Sequence, residues 1–102
     1  METDKLIKEI EAWGSAHGIN NPDKQTIKLM EEVGELANEF SLRHYRTPEV
    51  KDAIGDIGVV VIILADILGY SFADCLKTAY DVIAKRNGKT VNGSFIKDGE
   101  TS

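Results

Sequence analysis

The chain is poor in the residues that build disulfide scaffolds and soft-metal centres. Its single cysteine, Cys75, excludes an intrachain disulfide framework and a cysteine-rich zinc site, suits a reducing cytoplasm, and is expected as a plain core residue. Two histidines, His17 and His44, form no Cys/His constellation for nucleophilic catalysis and are expected at the surface or at loop ends. There is no glycine-rich phosphate loop of the Walker kind. Twelve basic residues against seventeen acidic ones give a net charge of −5, so no positive field exists to displace counterions from nucleic acid or to hold an anionic membrane. The longest apolar run, Ile57 to Ala65, is far below the ~20 residues that span a bilayer. The N-terminus, METDKLIKEIEAW, is charged and amphipathic from the start, unlike a secretory leader. What remains is the expectation of one small soluble, cytoplasmic domain of 102 residues whose core is limited by its size.

Only two prolines occur, and both sit where a helix would begin. Leu6, Ile7, Ile10 and Trp13 recur at helical spacing over about Asp4 to Ala16, and HGINNP then breaks the pattern. A second helix is predicted from Pro22, with Asp23 in its first turn, to about His44. Thr47 caps a third, with Pro48 at its first position and Gly69 as its stop near Leu68. The run VVVII favours a strand by propensity, but it lies in a segment of helical length between a proline start and a glycine stop. Ser71 opens a fourth helix carrying Phe72, Cys75, Leu76, Ala79, Val82 and Ile83 on its apolar side and ending near Asn87-Gly88. Asn92-Gly93 between Val91 and Phe95-Ile96 signals a tight turn in a short hairpin or arm. The expected domain is 1–97, with 98–102 as a flexible tail. Gly34, Gly55 and Gly58, inside helical patterns, are expected to permit close helix packing. Helix three, apolar nearly all round, calls for self-association to cover it.

What is abundant is acid. On a helix, Gln25, Lys28, Glu32, Glu35 and Glu39 fall within an arc of about 80°, beside an apolar stripe of Leu29, Val33, Leu36 and Phe40. Asp52 and Asp56 share a face of the third helix with Val59 and Ile63 and are expected to point inward. Carboxylates gathered in a half-buried space repel one another and either take up protons or need a cation. A hard divalent ion with oxygen ligands, a magnesium site that handles a polyphosphate, is the natural expectation.

EEVGELANEF followed by DAIGDIGVVVIIL resembles the MazG-like all-α nucleoside triphosphate pyrophosphohydrolases, a group that includes dimeric dUTPases and dCTP pyrophosphatases. The resemblance covers residues 5 to 97, including AKRNGKTVNGSFIK, which is similar to the tails of small phage and Firmicute members. It implies an all-α four-helix bundle with a short C-terminal arm or hairpin, completed by oligomerisation into a dimer or tetramer. It implies Mg²⁺, with Mn²⁺ able to substitute, and hydrolysis of nucleoside triphosphates to monophosphate and pyrophosphate in nucleotide-pool control. Of the family's Glu-x-x-Glu and Glu-x-x-Asp signature, Glu32, Glu35 and Asp56 are present, whereas the third position holds Ala53. Asp52, one residue earlier and one turn from Asp56, stands as the substitute ligand. Glu31 and Glu39 are the candidate proton acceptors, Glu39 inside the ligand arc and Glu31 about 40° outside it.

Each of these residues also has a plainer reading. Lys28 with Glu31 or Glu32 makes an ordinary intrahelical ion pair. Lys85 and Arg86 are candidates for substrate contact or for compensating a helix dipole. Asp81 serves the phosphate site or pairs on the surface with Lys77 or Lys85. Gln25 and Lys28 lie on the ligand arc, and Trp13 is a core or interface anchor or a platform for a base. The alternative function is a catalytically weak nucleotide-binding or interaction protein, favoured by Ala53.

Overall fold

The computed structural model describes residues 1–99, which form four helices and a two-stranded hairpin. The helices are α1 (Thr3–Ala16), α2 (Pro22–Ser41), α3 (Pro48–Ile67) and α4 (Phe72–Ile83); the strands are β1 (Gly88–Val91) and β2 (Ser94–Lys97). The all-α class, the four helices and the terminal hairpin are those expected. Two compact units emerge, Met1–Phe72 and a second beginning at Ala73, so the boundary drawn after residue 97 falls inside the second, at the end of β2. Residues 100–102 of the expected tail lie outside the described residues.

Local chemistry explains the helix ends. The Asn21 side-chain oxygen accepts from the Lys24 N–H at 3.0 Å, and the Thr47 hydroxyl accepts from the Val50 N–H at 3.2 Å, each followed by a proline that has no N–H to satisfy. Three helices stop in the same way, with a left-handed residue and a backbone bond reaching back five positions. In α1 the left-handed residue is Gly18, and the Ile19 N–H donates to the Gly14 carbonyl. In α3 it is Gly69, and the Tyr70 N–H donates to Ala65. In α2 it is Arg43, with φ 60°, and the His44 N–H donates to Glu39 at 2.9 Å. The carbonyls satisfied there end α2 at Ser41 rather than near His44. Similarly, the N–H groups of Lys85 and Arg86 reach the carbonyls of Val82 and Ile83, which ends α4 at Ile83 rather than near Asn87.

In the first unit α3 packs against both α1 and α2. It supplies all the buried hydrophobic residues: Val50, Ala53, Val60, Ile62, Ile63 and Ala65. Nothing from Ile57 to Ala65 is exposed, as expected of a helix covered on nearly all sides. The stripe read on α2 divides, however: Leu29 and Leu36 are half-buried, whereas Val33 and Phe40 face outward. The polar Gln25 and Glu32 occupy the buried positions instead, and Gln25 Nε2 donates to the Val60 carbonyl at 3.3 Å, tying α2 to α3. Cys75 is exposed rather than in a core, because α4 buries none of its residues.

The glycines also differ from expectation. A methyl group at Gly34, Gly55 or Gly58 would meet nothing within 4 Å, so none of the three is needed for packing within this protomer. In the first unit Gly14 is the close approach: it is the buried residue of α1, and a Cβ there would lie 3.1 Å from Ile63 Cγ1. In the second unit β1 and β2 pair antiparallel with Val91 opposite Ser94, and Asn92 and Gly93 both have positive φ, as a two-residue hairpin turn demands.

Gly14→Val should therefore lower stability by about 1–3 kcal/mol through overpacking against Ile63. Gly55→Ala, with open space in a helix interior, should raise it by up to about 1 kcal/mol. Urea denaturation of the two variants beside the parent checks both signs.

Candidate active site

Two adjoining clefts mark the packing of α2 on α3. The first, of about 800 Å³, runs from Trp13 and the α1–α2 loop past Lys24, Gln25 and Lys28 to Glu32 and Asp56. The second, about 300 Å³, is lined by Glu35, Asn38, Glu39, Glu49, Asp52, Ala53 and Asp56. Asp56 belongs to both, so an acidic compartment opens beside a longer mixed one.

Glu32 is the least usual residue in the site. It is 6% exposed; Lys28 Nζ holds its Oε1 at 3.2 Å, while its Oε2 is buried with no hydrogen-bond partner. An ionised oxygen left in this state costs free energy unless a cation or a proton reaches it. The ammonium of Lys28 is held charged above its ordinary range, first by its hydrogen bond to Glu32 and then by that residue's charge. This is the ion pair read from the sequence, but on a half-buried edge rather than a solvated face.

Neighbouring acids respond to the crowding. Glu35, though exposed, has its carboxyl pKa raised, chiefly by the charge of Glu32 and then by burial. Asp56, half-buried, is raised first by burial and next by Asp52 and Glu32. Asp52 is exposed rather than inward, since its position on α3 lies at the rim of the acidic cleft. Glu39 is half-buried and faces His44 Nδ1 at 3.0 Å, while Glu31 is exposed and outside both clefts. Glu49 and Asn38 were not singled out from the sequence. Glu49 was legible, lying three and seven residues before Asp52 and Asp56 on the same helix face.

Among the described residues, no group of three or more acidic, histidine or cysteine side chains is placed so that it could hold a metal ion. The donor set still fits a hard cation. It consists of carboxylate oxygens on facing turns, it holds one buried oxygen without a partner, and its charges repel in the absence of a counter-ion. Magnesium retains several waters and does not require an all-protein cage.

The remaining candidates are placed as follows. Trp13 is 51% exposed, so it is not a core residue; its ring lies against His17 with centroids 4.3 Å apart and lines the mixed cleft. Asp81 belongs to the second unit, where Lys77 Nζ reaches its carboxylate at 2.7 Å in the surface pair foreseen. Lys85 and Arg86 follow α4 in the same unit, in the turn before β1.

Comparison with known structures bears on this arrangement. A Bacillus-conserved MazG protein, a nucleotide pyrophosphohydrolase, superposes with a TM-score of 0.66 over 92% of this chain and 97% of its own, at 23% identity. The cyanophage S-2L MazG-like pyrophosphohydrolase, bound to dGDP and three catalytic Mn²⁺ ions per active site, gives 0.65 over 95% and 97%, at 21% identity. This chain has the MazG-like fold. In sequence, it is 44% identical over 64 residues to an uncharacterized 18.2 kDa protein from the rep-hol intergenic region of Haemophilus phage HP1. That match takes in 60% of this chain and spans 38% of the phage protein's length. No family model matches.

The raised acids make a prediction about pH. Glu35 and Asp56 bind protons more tightly folded than unfolded, so their share of stability is present below the ordinary carboxylate range. It is lost as pH rises from there through their raised values. Asp56→Asn should accordingly raise the melting temperature of the metal-free protein at pH 7 and leave it unchanged near pH 3. Thermal melts in chelator across that range check the sign.

Proposed function

We propose that the chain is a divalent-metal-dependent nucleoside triphosphate pyrophosphohydrolase that releases nucleoside monophosphate and pyrophosphate, in nucleotide-pool control. The observation that carries this reading is the buried, half-satisfied Glu32 in the longer cleft that bears Lys24 and Lys28 and shares Asp56 with the acidic cleft. The likeness in fold to two nucleotide pyrophosphohydrolases supports it, one of which holds a nucleotide and Mn²⁺.

Glu32, Glu35 and Asp56, with Asp52 at the rim, would hold Mg²⁺, for which Mn²⁺ would substitute. When bound, the ion neutralises charge on the phosphates and lowers the pKa of water. Lys28, steered by Glu32, meets the phosphates in the longer cleft, and Gln25 fixes that wall through Val60. Water attacks phosphorus, the bond to the bridging oxygen breaks, and pyrophosphate leaves. The water's proton passes to a Glu39 carboxylate oxygen, which His44 orients. Glu31 is the lesser candidate for this role. One observation favours the weaker alternative of a protein that binds nucleotides without hydrolysing them: Ala53, only 7% exposed, lies in the acidic cleft with no ligating group.

We also propose a cytoplasmic homo-oligomer, a dimer or tetramer, with neither nucleic acid nor membrane as partner. The reason differs from that read in the sequence. Helix α3 is covered from Ile57 to Ala65 and exposes Ile54 alone among its large apolar residues, whereas α2 exposes Ile27, Met30, Val33 and Phe40, and α4 exposes Leu76, Tyr80, Val82 and Ile83. Apolar surface on this scale calls for a partner. Among the described residues, no single helix is long and apolar enough to cross a membrane.

Sedimentation at micromolar concentration should show a dimer or tetramer; a stable monomer would remove the oligomer. In a product assay across nucleoside triphosphates, pyrophosphate rather than phosphate should appear and should require Mg²⁺ or Mn²⁺. Asp52→Asn should lower that rate at least tenfold, about 1.4 kcal/mol of transition-state stabilisation. Ala53→Glu should be tolerated and should tighten metal binding. A silent Asp52→Asn together with an Ala53→Glu that creates activity absent from the parent would favour the binding protein.

A further inference from the structure

Helix α2 faces two ways, and the candidate site uses only one of them. Gln25 and Glu32 turn toward α3, while on the far side Ile27 and Met30 are 60% and 69% exposed, followed by exposed Val33, Gly34, Ala37, Phe40 and Ser41. At 100° per residue these positions fall within an arc of about 140°. No charged side chain between residues 26 and 41 enters that arc. Such a face on an otherwise charged helix fits a second apolar helix.

The order of large and small residues along the face selects the partner. Ile27, Met30, Gly34, Ala37 and Ser41 recur at intervals of three, four, three and four, the repeat of a two-helix seam. In a parallel pair each layer sets like against like, so Ile27 and Met30 crowd one end while Gly34 and Ala37 leave the middle hollow. In an antiparallel pair the layers set Ile27 against Ala37 and Met30 against Gly34, a large side chain over a small one each time. Gly34, where a methyl group would meet nothing within 4 Å in the protomer, then receives Met30 of a second copy. The ends agree as well. Asp23, in the first turn of α2, is brought to the end where Arg43 of the second copy stands, a cation with no partner among the described residues. The positive N-terminus of each α2 also meets the negative C-terminus of the other.

Resting on the reading of the chain as a homo-oligomer, we propose that two copies join through this face, α2 against α2 in antiparallel register, with Ile27 over Ala37 and Met30 over Gly34. The helix that carries Glu32 and Glu35 is then held on both sides, by α3 of its own chain and by α2 of the other. One seam backs both candidate sites of the dimer.

Cross-linking in a Cys75→Ser background tests the register. Within one chain residues 27 and 37 lie about 15 Å apart along the helix, too far for a disulfide. A chain carrying both Ile27→Cys and Ala37→Cys should oxidise to a covalent dimer. Neither single variant should, since antiparallel pairing displaces each position from its own copy by the same distance. Met30→Glu should weaken association at least tenfold in sedimentation and leave the helical circular dichroism unchanged. Single variants that each cross-link to themselves would mean a parallel pair and would overturn the proposal. So would a dimer in sedimentation that the double variant does not capture, which would move the interface to another face, such as that of α4, and keep the oligomer. A parent that is monomeric at micromolar concentration would remove both.

Discussion

Everything at the candidate site depends on one carboxylate held where water barely reaches it. Glu32 stands on the face of α2 that packs against α3, with one oxygen on Lys28 and the other unsatisfied. A hydrophobic residue there would make a better core, since an uncompensated buried charge costs several kcal/mol. The arrangement makes physical sense if a cation completes it. The raised pKa of Glu35 follows chiefly from the same charge, and that of Asp56 from burial first, then from Asp52 and Glu32. Site and fold are thus coupled: the helix packing that buries Ala53, Val60 and Ile63 also assembles the acids.

Much of this was legible in the sequence, for identifiable reasons. Helix starts follow from Asn21-Pro22 and Thr47-Pro48, where a side-chain acceptor precedes a residue without an N–H. Helix ends were legible where glycine takes the left-handed position, at Gly18 and Gly69. They were misjudged where arginine takes it, at Arg43, because nothing in the residue type announces that conformation. The hairpin followed from Asn92-Gly93, the pair most suited to its turn. The acidic arc followed from period alone, since the faces of a helix are set by its geometry.

Less legible was which side of each helix is covered. Val33 and Phe40 were assigned to the core because apolar residues ordinarily seek it, yet in this protomer the buried places on α2 go to Gln25 and Glu32. Polar residues displace apolar ones where a site must be held between two helices, and that exchange is what periodicity cannot show. The same logic applies to Cys75 on α4 and to Trp13, both apolar by type and both exposed. Gly14 escaped notice because its role lies in a contact with Ile63, 49 positions along the chain, that no local pattern encodes. Glu49 shares the face of Asp52 and Asp56, but as the acid of a helix's first turn it has an ordinary role there that masks the second one.

The central claim is that a divalent ion belongs at the junction of α2 and α3, and the most direct measurement of it is paramagnetic broadening of backbone amide resonances during a substoichiometric Mn²⁺ titration. The account predicts that the amides around Glu32, Glu35 and Asp56 broaden first and that Mg²⁺ in excess restores them. Broadening that begins instead at the acids of α1, such as Asp4, Glu9 and Glu11, or that is uniform along the chain, would contradict it.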